Sequence, residues 1–92
     1  MDTRELRKFQ DKAGRITILP RKPSKQLLVL SFLASKFETG RVYAEKEVNQ
    51  ILNESHNFSD SALLRRELIE KGFLERTADG REYWKKDSKD SK

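Results

Sequence analysis

The sequence predicts a small α+β domain of three core helices and a C-terminal β-hairpin, preceded by a short N-terminal helix and strand. Three observations carry this reading. Apolar residues recur at helical spacing in three segments of the 92-residue chain, around Leu27 to Phe37, Val48 to Ser55 and Leu64 to Ile69. Asp79-Gly80 stands between two β-prone runs, a strong short-range hairpin signal. Gly40 separates the first two of these segments, Pro20 and Pro23 precede the first, and Gly72 follows the third. With Val42 and Tyr43 as a short extended piece between the first two core helices, the order is that of a winged helix-turn-helix. In that arrangement the third core helix enters a major groove and the hairpin is the wing that reaches neighbouring phosphates.

The elements follow in order. Asp2 to Lys12 can form an amphipathic helix through Leu6 and Phe9, stopped by Gly14. Arg15 to Leu19 read as a short β-branched strand closed by Pro20. Ser24 is the expected N-cap of the first core helix. There Leu27, Leu28, Leu30, Leu33, Ala34 and Phe37 cover most of the circumference and imply a central helix. Glu38, Thr39 and Gly40 make a turn, and Glu45 to Ser55 form the second helix with Val48, Ile51, Leu52 and Ser55 on one face. Ser59 or Asp60 caps the third, which runs to Lys71 and stops at Gly72. Leu74 to Thr77 and Arg81 to Trp84 are the hairpin strands. The chain thus divides into a basic N-terminal extension (1–23), a winged-helix domain (24–86) and a disordered Lys/Asp/Ser tail (87–92) with nothing to bury.

Composition narrows the function. No cysteine is present, which excludes a disulfide framework, a thiolate metal site and a cysteine nucleophile, and suits the reducing cytoplasm. The longest apolar run, Leu27 to Ala34, is far short of the roughly 20 residues that span a membrane. Met1 to Lys12 has no export pattern. The net charge of +5 lies wholly in residues 1–25, which hold eight cations and three carboxylates, while the rest balances at twelve of each. An anionic partner would be attracted through that quarter; a merely solvated basic segment is the alternative.

Candidate binding residues come from a helical wheel. Arg66 lies almost opposite Leu64 and Leu68, beside Ala62 and Glu70, so Arg66 and Ser61 are candidates to face a groove in DNA. Arg65 falls between Leu68 and Ile69, over the core edge, and suits a structural ion pair with Glu45 or Glu47. The wing offers Arg76, Arg81, Lys85 and Lys86, partly cancelled by Glu75, Asp79 and Glu82. Arg15, Arg21, Lys22 and Lys25 are candidates for phosphate contacts. Trp84 is read as a lid closing the hairpin onto the first helix, and Asn49 as an amide that needs a partner such as a turn backbone. His56 beside Ser59 and Ser61 invites a serine-nucleophile reading. The absence of a nucleophile elbow or an oxyanion glycine pair speaks against it, and capping explains the cluster. One histidine and no cysteine leave no metal site. The expectation is therefore no catalytic site, no cofactor and no enzyme.

Gly14-Arg15-Ile16 with Leu19-Pro20, Tyr43-Ala44-Glu45-Lys46-Glu47-Val48-Asn49, Leu64-Arg65-Arg66-Glu67-Leu68 and Asp79-Gly80-Arg81-Glu82-Tyr83-Trp84 occur in this order. In these motifs the chain resembles the bacterial Domain of Unknown Function 2087 family, over nearly all of its length outside the termini. The resemblance implies a domain found alone or fused to helix-turn-helix regulators, hence transcription control, and assigns no ligand. Ala44 departs from the Thr or Ser that the family places before Glu-Lys-Glu, so an N-cap hydroxyl worth about 1 kcal/mol is missing. Two functions follow as expectations: a bacterial DNA-binding transcription regulator or accessory, whose partner is double-stranded DNA, and a winged-helix module for protein-protein interaction or oligomerisation.

Overall fold

The computed structural model describes residues 3–86. Among them lie four helices and one three-stranded antiparallel sheet: α1 (Thr3–Arg7), α2 (Pro23–Ala34), β1 (Val42–Ala44), α3 (Glu45–Ser55), α4 (Ser61–Glu70), β2 (Leu74–Arg76) and β3 (Glu82–Lys85). The expected tail, 87–92, lies outside the described residues.

The N-terminal segment differs most from its expectation. The helix expected to reach Lys12 ends at Arg7. Asp11 Oδ1 accepts the amides of Ala13 and Arg15, each at 2.9 Å. Such a side-chain turn competes with helix for the same backbone, and Gly14, at φ 87°, completes the reversal. The expected strand Arg15 to Leu19 shrinks to single bridges at Ile16, antiparallel to Gln10 and parallel to His56. The Ile16 amide donates to Ser55 O at 2.8 Å and its carbonyl accepts the Asn57 amide at 3.0 Å. Arg15 O accepts the Asp11 amide at 2.8 Å and the Thr17 amide donates to Phe9 O at 2.7 Å, so the stretch is held from Arg15 to Thr17 without extending into a ladder; Ile16 is fully buried while Ile18 is 56% exposed.

α2 begins two residues earlier than the Ser24 cap implied. Pro23 takes the first helical position, where its missing N–H costs nothing, and Lys22 is an N-cap with no side-chain bond. Val29, Leu30, Leu33 and Ala34 enter the core. Leu27 is 44% exposed, and Leu28 and Phe32 are half-buried, so the apolar circumference is not enclosed and α2 is no central helix.

α3 has the expected limits. Ala44 at its N-cap offers no acceptor, but Glu47 Oε1 reaches back to the Ala44 amide at 2.9 Å and supplies half of a capping box. Asp60, not Ser59, caps α4 by accepting the Leu63 amide at 3.2 Å. Gly72 ends it at φ 85°, with Phe73 N–H on Leu68 O and Gly72 N–H on Ile69 O. This is a Schellman stop, in which the left-handed residue lets both amides fold back on the last turn.

The sheet order is β1-β3-β2. Tyr43 and Tyr83 pair across β1 and β3, and Leu74 pairs with Lys85 across β2 and β3, on the face toward the helices. Val42, Trp84 and Glu75 form a row on the other face. Tyr83 is therefore the buried aromatic. Trp84 is half-buried and donates from Nε1 to Glu75 Oε1 at 2.9 Å, which corrects its reading as a core lid. One cluster unites Leu6 and Ile16 with Val29, Leu30, Leu33, Phe37, Tyr43, Val48, Leu52, Leu64, Leu68, Leu74 and Tyr83, so the N-terminal segment shares the core of the helices.

Candidate functional site

The turn between α3 and α4 is organised by His56, which is buried. Its Nε2 accepts the Asp60 amide at 2.8 Å, so Nδ1 carries the proton and donates to Leu52 O at 2.6 Å. Phe58 packs edge-on against the ring, 4.6 Å between centroids. With both nitrogens held by backbone, the imidazole has no atom left to activate Ser59 or Ser61.

The N-terminal segment braces this turn. Asp11 Oδ2 accepts from Asn57 Nδ2 at 2.9 Å and from Arg15 Nε at 3.2 Å. The Arg15 amide foremost, with the Asn57 amide, the Arg15 charge and the Ala13 amide, outweighs an opposing desolvation and holds the Asp11 carboxyl below the usual carboxylate range. The same contacts bring the Arg15 guanidinium to the turn that leads into α4.

On α4 the two arginines part company. Arg65 Nη2 lies 3.6 Å from Glu45 Oε2, and Nη1 donates to Asn49 Oδ1. Glu47 instead faces Arg41, at 3.6 Å. Asn49 thus finds its partner in a side chain of α4 rather than a turn backbone. Arg66 is exposed with Ala62 and Glu70, and among the described residues it enters no salt bridge. Ser61 is half-buried in the first turn of α4.

The hairpin cations separate into tip and base. Arg76 Nη1 donates to Thr77 O and Ala78 O at 3.0 and 3.3 Å, tied to the turn. Arg81 is exposed, with Nε 3.8 Å from Asp79 Oδ2. The Thr77 hydroxyl and the Arg81 amide, with the Arg76 charge, lower the Asp79 pKa. Lys85 and Lys86 lie at the base instead, beside Ser31, Ala34 and Ser35 of α2. Of the remaining candidates, Lys25 pairs with Glu5, while Arg21 and Lys22 are exposed at the start of α2. The structure therefore brings Arg15 to the turn before α4 and does not gather the basic residues of 15–25 into a free arm.

Residues 15–85 match the family described as an uncharacterized protein conserved in bacteria (DUF2087). The chain belongs to this family. The DUF2087 match starts at Arg15 and so takes in Ile16, the residue that ties the N-terminal segment to the α3–α4 turn. It ends at Lys85, the last residue of β3. No curated protein and no solved structure matches the chain. No helix among the described residues is long and apolar enough to cross a membrane.

The contacts that sequence reasoning missed are those between remote segments. Asp11 and Asn57 are 46 residues apart, and neither has a local pattern that announces the other. Asn49 was legible as an amide out of place in a helix, and the arginine that satisfies it lies on the next helix.

Proposed function

We propose that this DUF2087 domain is a winged helix-turn-helix that binds double-stranded DNA, acting as a transcription regulator or an accessory to one in the bacterial cytoplasm. The observation that carries the reading is the solvent face of α4, where Arg66 stands exposed beside Ala62 and, among the described residues, outside any salt bridge, while Arg65 is spent on α3. The element order supports it, with α3 and α4 joined by a short turn and the β2–β3 hairpin following α4. In this reading α4 lies in the major groove, Arg66 reaches a base edge or an adjacent phosphate, and Arg81 at the hairpin tip flanks the backbone. Arg15, at the turn before α4, adds a second phosphate contact.

The test is a titration of random-sequence duplex DNA by fluorescence anisotropy at several salt concentrations. Arg66→Ala is expected to weaken specific binding about tenfold or more if the arginine reads a guanine, and to weaken all sequences alike if it holds a phosphate. A chain that leaves duplex DNA unbound at low salt, or an Arg66→Ala variant that binds as the native chain does, overturns the reading. The second reading, a protein-interaction module, would then take its place, and the exposure of Leu27 on α2 favours it.

A further inference from the structure

A groove of about 500 Å³ opens between the C-terminal turn of α2 and the base of the hairpin. Ala34 and Phe73 give it an apolar floor, Ser31 and Ser35 one wall, and Lys71, Lys85 and Lys86 the other. Among the described residues no carboxylate lines it. Lys71 is occupied by Glu67, its Nζ 3.0 Å from Oε1. Lys85 and Lys86 enter no salt bridge among the described residues.

Lys85 is the unusual member. Strand alternation places it opposite Leu74, on the face of β3 that also carries the buried Tyr83. As a residue Lys85 is half-buried on the core side of the sheet, its stem against apolar surface, and among the described residues it has no counter-charge. The C-terminal carbonyls of α2 do not supply one. Ser31 and Phe32 oxygens accept the Ser35 amide, Leu33 the Lys36 amide and Ala34 the Phe37 amide, all at 3.1 Å. The negative end of that helix is already satisfied by its own turn.

We propose that this groove binds a small organic anion, a carboxylate or phosphate carried on an apolar body. Lys85 and Lys86 hold the charged group, and Phe73 and Ala34 pack beneath the apolar part. Concave, mostly apolar sites with a few convergent charges are the usual form of small-ligand pockets, and the volume lies within their common range. The assignment takes Lys85 and Lys86 away from the hairpin's DNA contacts and does not depend on duplex binding.

The experiment is an NMR titration of the isotopically labelled full chain with phenyl phosphate, phenylacetate and benzyl alcohol. Phenyl phosphate or phenylacetate is expected to shift the amides of Ser35, Gly72, Phe73 and Lys86 together along one saturable curve, and whichever binds tighter identifies the headgroup. Benzyl alcohol, with the same ring and no charge, should bind about tenfold more weakly. Lys85→Gln and Lys86→Gln should each raise the Kd about threefold, the scale of a partly exposed ion pair. Equal binding of benzyl alcohol overturns the proposal. So do shifts spread equally over Arg21 and Lys22, or unchanged Kd values in both lysine variants. Should one variant fail to melt cooperatively, the other variant and the benzyl alcohol comparison still decide it.

Discussion

Ile16 and Ile18 stand two residues apart in the segment that the sequence marks as an extension, and they offer a sharp test of how that segment belongs to the fold. Ile16 is fully buried and Ile18 is 56% exposed. Truncating Ile16 to Ala removes three carbons, each worth about 0.8 kcal/mol of transfer free energy, and leaves a void in the core cluster to which Ile16 belongs. The cost should be roughly 2 to 4 kcal/mol. At about 4 to 8 °C per kcal/mol for a domain of this size, the melting temperature should fall on the order of 10 to 30 °C. Ile18→Ala should stay within about 0.5 kcal/mol of the native chain. Thermal melting followed by circular dichroism measures both. Equal small shifts would show that residues before α2 are an appendage, and equal large shifts would show that Ile18 packs too; either refutes the reasoning. The same logic applies to removal of residues 1–23, which takes Leu6 and Ile16 out of the core and should damage the fold along with any DNA binding.

Arg65→Ala should lower the melting temperature, because it strands Asn49 Oδ1 and Glu45, whereas Arg66→Ala should leave it nearly unchanged; equal shifts would remove the distinction between the two faces of α4. Asp11 contributes stability that is present above the ordinary carboxylate pKa of about 4 and is lost as pH falls through its lower folded value. Asp11→Asn should therefore melt below the native chain at neutral pH, and the gap should close on acidification. A gap constant with pH would show that the Asp11 charge does not brace the turn.

What the sequence made legible was local. The limits of α3 could be read because Val48, Leu52 and Ser55 repeat at helical spacing and the flanking residues break it. The end of α4 could be read because only a residue tolerant of positive φ makes its stop, and Gly72 stands there. Asp79-Gly80 marked the hairpin, although the Thr77 amide bonds Glu82 O and leaves Ala78 to Arg81 in a loop wider than the dipeptide suggests. The opposite faces of Arg65 and Arg66 followed from adjacent positions on one helix. Remote pairing was not legible. The alternation of Ile16 and Ile18 resembles a strand with both on one face, yet no sheet receives it, and the two part in exposure because the backbone pairing of this stretch ends at Thr17. The apolar circumference of α2 implied enclosure on all sides, but a 92-residue chain has too few elements to cover every face of one helix.

The same distinction between formal and available charge sets the outcome of the salt titration. Nine cations were candidates for phosphate contact, and nine neutralised phosphates would give a slope of log K against log salt near −8, at about −0.9 each. Arg15, Lys25 and Arg81 already face carboxylates, and Arg76 is tied to two carbonyls of its turn. Lys85 and Lys86 belong to the groove at the hairpin base. Arg21, Lys22 and Arg66 remain exposed and, among the described residues, without ion pairs. A slope of about −3 is therefore expected from these three, rising toward about −4.5 as Arg15 and Arg81 exchange Asp11 and Asp79 for phosphates. Arg66→Ala should reduce the slope by about one if the arginine holds a phosphate. A slope near −8 would mean that the intramolecular pairs open on DNA and that the basic N-terminal quarter binds as a unit. A slope near zero would leave the exposed face of α4 with no electrostatic role on a duplex.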